Sequence, residues 1–121
     1  VSLFYKERLR NGADELLRDL GVKHELWVYT TSLRSKLYVK SWFRLWGVQI
    51  TNVINQQVHS DTIQRHSQYS TYSKAPKLFG IDLMVDDSEG VRIECRRQGC
   101  NSLIIQPADN DWSNKVRLAV K

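Results

Sequence analysis

A chain of 121 residues has room for one domain of ordinary size. Hydrophobic residues at 41% and aromatics at 10% suffice for a core, and charged residues at 26% argue against intrinsic disorder. No apolar run approaches the ~20 residues of a membrane helix, the first six residues make no signal peptide, and 18 Lys and Arg against 13 Asp and Glu, a net +5, are too evenly spread to demand nucleic acid.

The first helix is predicted over 12–20. Ala13, Leu16, Leu17 and Leu20 share a face at helical spacing. Asn11 is its expected cap, Asp14 and Glu15 suit the positive end of its dipole, and Gly21 is its expected stop. The run Leu26-Trp27-Val28-Tyr29 has the length and composition of a buried strand. Thr30-Thr31-Ser32 breaks it. A second helix is predicted over about 33–46, with Val39, Trp42, Phe43 and Trp46 on one side and Arg34, Lys36, Lys40 and Arg44 on the other. Residues 48–54 alternate enough to suggest another strand, in a pattern that suits a sheet edge.

Residues 55–73 change character. They are rich in Gln, Ser, His, Thr and Tyr and show little periodicity, so a long functional or mobile loop is expected. Strand Ile81–Val85 then runs into Asp86-Asp87-Ser88. A third helix over about 89–98 ends at Gly99, strand Leu103–Ile105 follows, and a last helix starts at Trp112 behind Asp111 as its cap. Helices and short apolar strands alternate four times. That pattern predicts an α/β fold with a mostly parallel sheet covered on both faces, in a single domain.

In such a sheet, ligands bind beyond the carboxyl ends of the strands. Thr30 follows one strand and leads toward a helix start, where free backbone N–H groups and positive potential suit a phosphate. Asp86 and Asp87 follow another, and adjacent carboxylates there suit a hard divalent cation such as Mg²⁺. Lys74, or Lys77, is placed to neutralise phosphate oxygens. Each feature also has an ordinary structural reading, as a cap or a surface lysine. Their order gives them joint weight.

Other chemistry-bearing residues read as structural. Cys95 and Cys100 have no second pair for zinc, and half-buried thiols suit a reducing cytosol, so a cytoplasmic location is expected. His24, His59 and His66 are expected to be solvated. Arg96 and Arg97 fit an exposed helix face. Trp27, Trp42, Trp46 and Trp112 fall on predicted core stripes, although an exposed pair at Trp42 and Trp46 would mark a partner surface.

Two segments carry a family resemblance. Residues 9–17 (Leu-Arg-Asn-Gly-Ala-Asp-Glu-Leu-Leu) with 25–34 (Glu-Leu-Trp-Val-Tyr-Thr-Thr-Ser-Leu-Arg), and the later run 74–91 from Lys74 to Val91, resemble the haloacid dehalogenase superfamily. The match is closest to its small bacterial members similar to carboxy-terminal-domain phosphatases, and it covers residues 9 to about 120. It implies a Rossmann-like three-layer fold. It also implies Thr30 and Thr31 at the transferring phosphoryl group, Lys74 (or Lys77) on the phosphoryl oxygens, and Asp86 with Asp87 at Mg²⁺. The implied reaction is aspartate attack on a phosphate ester and hydrolysis of the aspartyl-phosphate.

The family's first motif, a strand ending Asp-x-Asp that carries the nucleophile, has no counterpart before Leu9. Val1–Tyr5 resembles a strand but runs into Lys6 and Glu7, and Glu7 is a poor substitute. The resemblance therefore implies a core whose central first strand is missing or substituted, N-terminally incomplete and inactive as it stands, with weak or absent Mg²⁺ binding. A small phosphorylated substrate, or none, is expected. So is a possible homo-oligomer, without a membrane and without nucleic acid. The rival reading is a catalytically dead relative that serves as a binding or self-assembly module. A receiver-like α/β domain shares acidic, hydroxyl and lysine residues at strand tips, but in an order that fits less well.

Overall fold

The computed structural model describes residues 4–5 and 8–120, with side chains from Arg10 onward. The described chain is mixed α/β and falls into two compact units, one ending at Val58 and the other beginning at His59. No helix among the described residues is long and apolar enough to cross a membrane.

The first unit opens with β1 (Phe4–Tyr5) paired antiparallel to β2 (Arg8–Leu9). Phe4–Tyr5 thus folds back on its own neighbour and does not extend a parallel sheet. Val1–Leu3, Lys6 and Glu7, and with them the question of Glu7 as a substitute acid, lie outside the described residues. Helix α1 (Ala13–Leu20) starts one residue later than predicted. Gly12, left-handed at φ 83°, occupies the cap position in place of Asn11, and no side chain caps the helix. Ala13, Leu16 and Leu17 are buried as their spacing requires.

Strand β3 (Trp27–Tyr29) pairs in parallel with β4 (Asn52–Ile54). The ladder continues through Thr51 N–H to Leu26 O (2.7 Å) and Thr30 N–H to Ile54 O (2.9 Å). β4 is shorter than the predicted 48–54 because a three-residue partner offers nothing further to pair with. Val48 and Ile50 are buried by packing alone. Between the strands lies α2 (Lys36–Leu45), capped by Ser35, whose hydroxyl accepts the Tyr38 N–H. It begins three residues later than predicted, because Thr30 and Ser32 turn the backbone onto their own hydroxyls. At its other end Gly47, at φ 74°, lets the Val48 N–H reach Phe43 O (3.1 Å). Arg18 of α1 donates to Trp46 O (2.7 Å), a cation where the helix end is negative. Leu17, Val28, Val39, Phe43, Val48, Ile50 and Val53 form the core of this unit, with Leu26 and Trp42 packed against it.

The 55–73 segment is not a loop. It contains α3 (Gln56–Gln64) and a 3₁₀ turn at Ser67–Tyr69. The helix is invisible to apolar periodicity because the buried position on it is a histidine, His59. A second 3₁₀ turn, Pro76–Phe79, precedes β5 (Leu83–Asp86). β5 pairs in parallel with β6 (Asn101–Ile104), and α4 (Glu89–Gln98) connects them. Helix α5 (Trp112–Ala119) ends the unit. Asp111 occupies the cap position as expected, but its carboxylate makes no cap bond to a backbone N–H and accepts from the Asn114 amide (2.8 Å). Trp112 and Val116 of α5 are buried, as are Met84, Val91, Cys95, Ile104 and Ile105.

The expected α/β class and mostly parallel pairing are present, in small sheets. Among the described residues there are three two-stranded sheets, two parallel and one antiparallel.

Candidate functional site

The sequence-predicted site residues divide between the units. Thr30 and Thr31 belong to the first. Lys74, Lys77, Asp86 and Asp87 belong to the second.

At the carboxyl end of β3, Thr30 is buried and Thr31 exposed. Thr30 Oγ1 accepts the Ser32 N–H (3.2 Å), which fixes the hydroxyl in a tight turn. Its neighbour in the parallel pair also ends in a buried polar residue. Asn55, directly after β4, accepts the Val58 N–H (3.0 Å) in the pattern of a helix cap and donates to Arg34 O (3.0 Å). The Gln56 N–H donates to Ser32 O (2.9 Å). The two strand tips are thus tied together. Thr30 is not at a helix start, since α2 begins only after Ser35.

At the carboxyl end of β5 the geometry is more demanding. Asp86 is buried, and the Lys74 ammonium pairs with its Oδ2. Oδ1 accepts the N–H groups of Asp87 (2.7 Å) and Ser88 (3.2 Å). Burial alone would raise the Asp86 pKa. The hydrogen bond and charge of Lys74, with the contributions of Asp87, outweigh it, and the carboxyl is held below its ordinary value. Asp87 is exposed, and its bond to the neighbouring Asp86 carboxylate raises its pKa. Lys77 is exposed, so Lys74 is the lysine that the fold brings to the acid.

Lys74 sits in an irregular segment, and α4 holds that segment in place. Glu94 accepts both the backbone N–H of Ser73 (3.1 Å) and its hydroxyl (2.8 Å). One turn further along, Gln98 donates to Lys74 O (2.9 Å) and accepts the Lys77 N–H (3.4 Å). Glu94 and Gln98 are four residues apart and so share a helix face. Sequence reasoning missed both, although a polar i, i+4 pair on a short helix beside a candidate lysine is a signal available without coordinates.

His59 was also missed. It is buried, not solvated. Burial pushes its imidazole below the ordinary 6.5; a bond to the Tyr72 backbone and the charge of Glu94 oppose this, and Lys74 reinforces it. A folded-state value below the unfolded one means stability present above pH 6.5 and lost as the pH falls toward the folded value. Thermal melts between pH 7 and 5 are expected to show a declining midpoint, and His59→Gln is expected to flatten that decline. Equal slopes in the two proteins would remove His59 from the account.

Cys95 is fully buried and Cys100 partly so. Burial, followed by the neighbouring Cys100, pushes the Cys95 thiol up to about 12, so it is no nucleophile near neutrality.

At the β5 tip both Asp86 oxygens are engaged, by the Lys74 ammonium and by two backbone N–H groups, and no group of three or more His, Cys, Asp or Glu among the described residues is placed to hold a metal. What the arrangement supplies is a buried lysine at a strand tip, neutralised by an aspartate and positioned by a clamped segment. No family model matches the chain, and neither a curated protein nor a solved structure does.

Proposed function

We propose that this chain carries the acid-and-lysine part of a haloacid-dehalogenase-like phosphate-ester hydrolase and is inactive as given. The observation that carries this reading is the Lys74–Asp86 pair at the end of β5. Two charges taken out of water are a poor way to stabilise a domain. Their burial at the ligand-binding edge of a parallel pair, behind a segment held by Glu94 and Gln98, is better accounted for by work on an anion. Lys74 would offset charge on phosphoryl oxygens; for Thr30 and Thr31, which belong to the other unit, a phosphoryl-holding role rests on the family resemblance alone.

The finer fold reading belongs to the same proposal: a Rossmann-like three-layer core, for which the parallel pairing in β3–β4 and in β5–β6 is the support. No aspartate precedes Asp14, so these residues supply no Asp-x-Asp nucleophile. Given the engaged Asp86 oxygens, Mg²⁺ binding is expected to be weak or absent. The second reading, a catalytically dead relative acting as a binding or self-assembly module, is favoured by the open edges that two-stranded sheets leave.

The test is hydrolysis of p-nitrophenyl phosphate. The 121-residue chain is expected to show no Mg²⁺-dependent turnover. Where the reading frame upstream of Val1 encodes a strand ending Asp-x-Asp, the extended chain is expected to turn over, and Lys74→Ala to lower its rate by about 10²-fold or more. Turnover by the chain as given that disappears in Thr30→Ala overturns the inactive reading. An extended chain indifferent to Lys74→Ala overturns the role of the lysine.

A further inference from the structure

The outward side of α2 has no role in the strand-tip chemistry, and its composition is unusual. Leu37 and Leu45 are 76% and 85% exposed, and Leu33, just ahead of the helix, is 73% exposed. Residues 33, 37, 41 and 45 recur every fourth position, so Leu37, Ser41 and Leu45 form one stripe pointing away from the buried Val39 and Phe43. One position behind that stripe run Lys36, Lys40 and Arg44; one position ahead run Tyr38, Trp42 and Trp46. The helix thus presents leucines at its crest, cations along one flank and aromatics along the other. Tyr38 and Trp46 are each 41% exposed, and the Arg34 guanidinium lies over the Tyr38 ring at 5.2 Å.

Charge decides what such a face can receive. From Leu26 to Ser60 the chain has four basic residues (Arg34, Lys36, Lys40, Arg44) and no Asp or Glu. None of Lys36, Lys40 and Arg44 has an acidic partner among the described residues. A second copy meeting this face with its own would bring like charges together, which opposes self-pairing through α2. Exposed apolar side chains gathered on one helix face and rimmed by charged residues form the kind of patch that marks an interaction surface.

We propose that the outward face of α2 docks an acidic amphipathic helix of another protein. The partner would lay an apolar stripe along Leu33, Leu37 and Leu45 and an acidic edge along Lys36, Lys40 and Arg44. Ser41, small and central, allows close approach at the crossing. An anionic bilayer is the competing surface. It is disfavoured because a ten-residue helix with two crest leucines buries little in lipid, and because Arg34, the cation on the aromatic flank, lies over the Tyr38 ring. This inference is independent of the phosphatase reading.

The probe is a synthetic helical peptide of about 16 residues with leucines down one face and glutamates along one flank. Its control has the same composition, scrambled so that the leucines share no face. Amide NMR shifts confined to about residues 33–46 and a change in tryptophan fluorescence are expected with the patterned peptide alone. Lys36→Glu, Lys40→Glu and Arg44→Glu together are expected to weaken it by about tenfold or more, and added salt to weaken the parent but not that variant. Leu37→Ser with Leu45→Ser is expected to weaken it similarly while leaving the salt dependence in place. These positions are exposed, so the fold is expected to survive, which circular dichroism checks. Equal binding of both peptides, or binding of neither, overturns the proposal. So does capture by vesicles of phosphatidylserine and phosphatidylcholine without peptide binding, or concentration-dependent dimerisation lost in Leu37→Ser.

Discussion

Lys74→Ala is expected to lower stability by about 3–5 kcal/mol, measured by urea unfolding at pH 7. The loss arises from what stays behind. Asp86 remains buried at 4% side-chain exposure, with its Oδ1 still bonded to the Asp87 and Ser88 N–H groups and its Oδ2 without a cation. Asp86→Ala is expected to be as damaging, because it strands an ammonium whose side chain is 7% exposed. The double variant Lys74→Met/Asp86→Asn removes both charges while keeping an oxygen for the two N–H groups. It is expected to recover much of the loss, giving a coupling energy of about 2 kcal/mol or more in a double-mutant cycle. Simple additivity would show that the two groups do not depend on each other.

The same pair sets an acid dependence. The folded-state pKa of Asp86 lies below its unfolded value of 3.8. Its contribution is therefore complete above about pH 4 and is lost as the pH falls through the folded value. In Lys74→Ala the buried carboxyl takes up a proton more readily, so acid harms the variant less. The stability gap between parent and variant is expected to narrow from pH 7 to pH 3.

Phe43→Ala is the second large effect, also about 3–5 kcal/mol. Phe43 is fully buried in the first unit, and its ring meets Trp42 edge to face at 5.1 Å and 87°. Its removal leaves a cavity among Val28, Val39, Val48 and Val53 that branched side chains held by two strands and a helix cannot collapse to fill. Against a total stability of about 5–15 kcal/mol, that loss leaves the unit marginal. Leu45→Ala, two residues away, is expected to change stability by no more than about 0.5 kcal/mol, because Leu45 is 85% exposed. Loss of near-ultraviolet circular dichroism and a lowered urea midpoint in Phe43→Ala alone are the expected results. Equal effects at the two positions would contradict the assigned core.

The two effects also show where sequence reasoning reaches its limit. Phe43 and Val39 are legible as core from helical spacing, since large apolar side chains recurring every three or four residues give a helix one face to bury. Trp46, on the same predicted stripe, is instead 41% exposed, because Gly47 ends the helix there and turns the chain away. The Gly99 stop places α4 to the residue, from Glu89 to Gln98. α3 escapes sequence reasoning altogether. Its buried position is a polar His59 and its cap, Asn55, gains meaning only from the Arg34 carbonyl on another segment.

Periodicity and stop residues, which act within a few positions of one another, were enough to mark the mixed α/β class, helices α1, α2, α4 and α5, and the polar residues at the ends of β3 and β5. Those signals are short-range, as is the physics behind them. Which lysine meets Asp86, what holds that lysine in place, and how many strands pair with which were settled only by the folded chain. They depend on groups 12 to 24 positions apart, Lys74 with Asp86 and Gln98 with Lys74. Ion pairing and hydrogen bonding at such separations leave no local trace, because the backbone must close the loop before either partner acquires its environment.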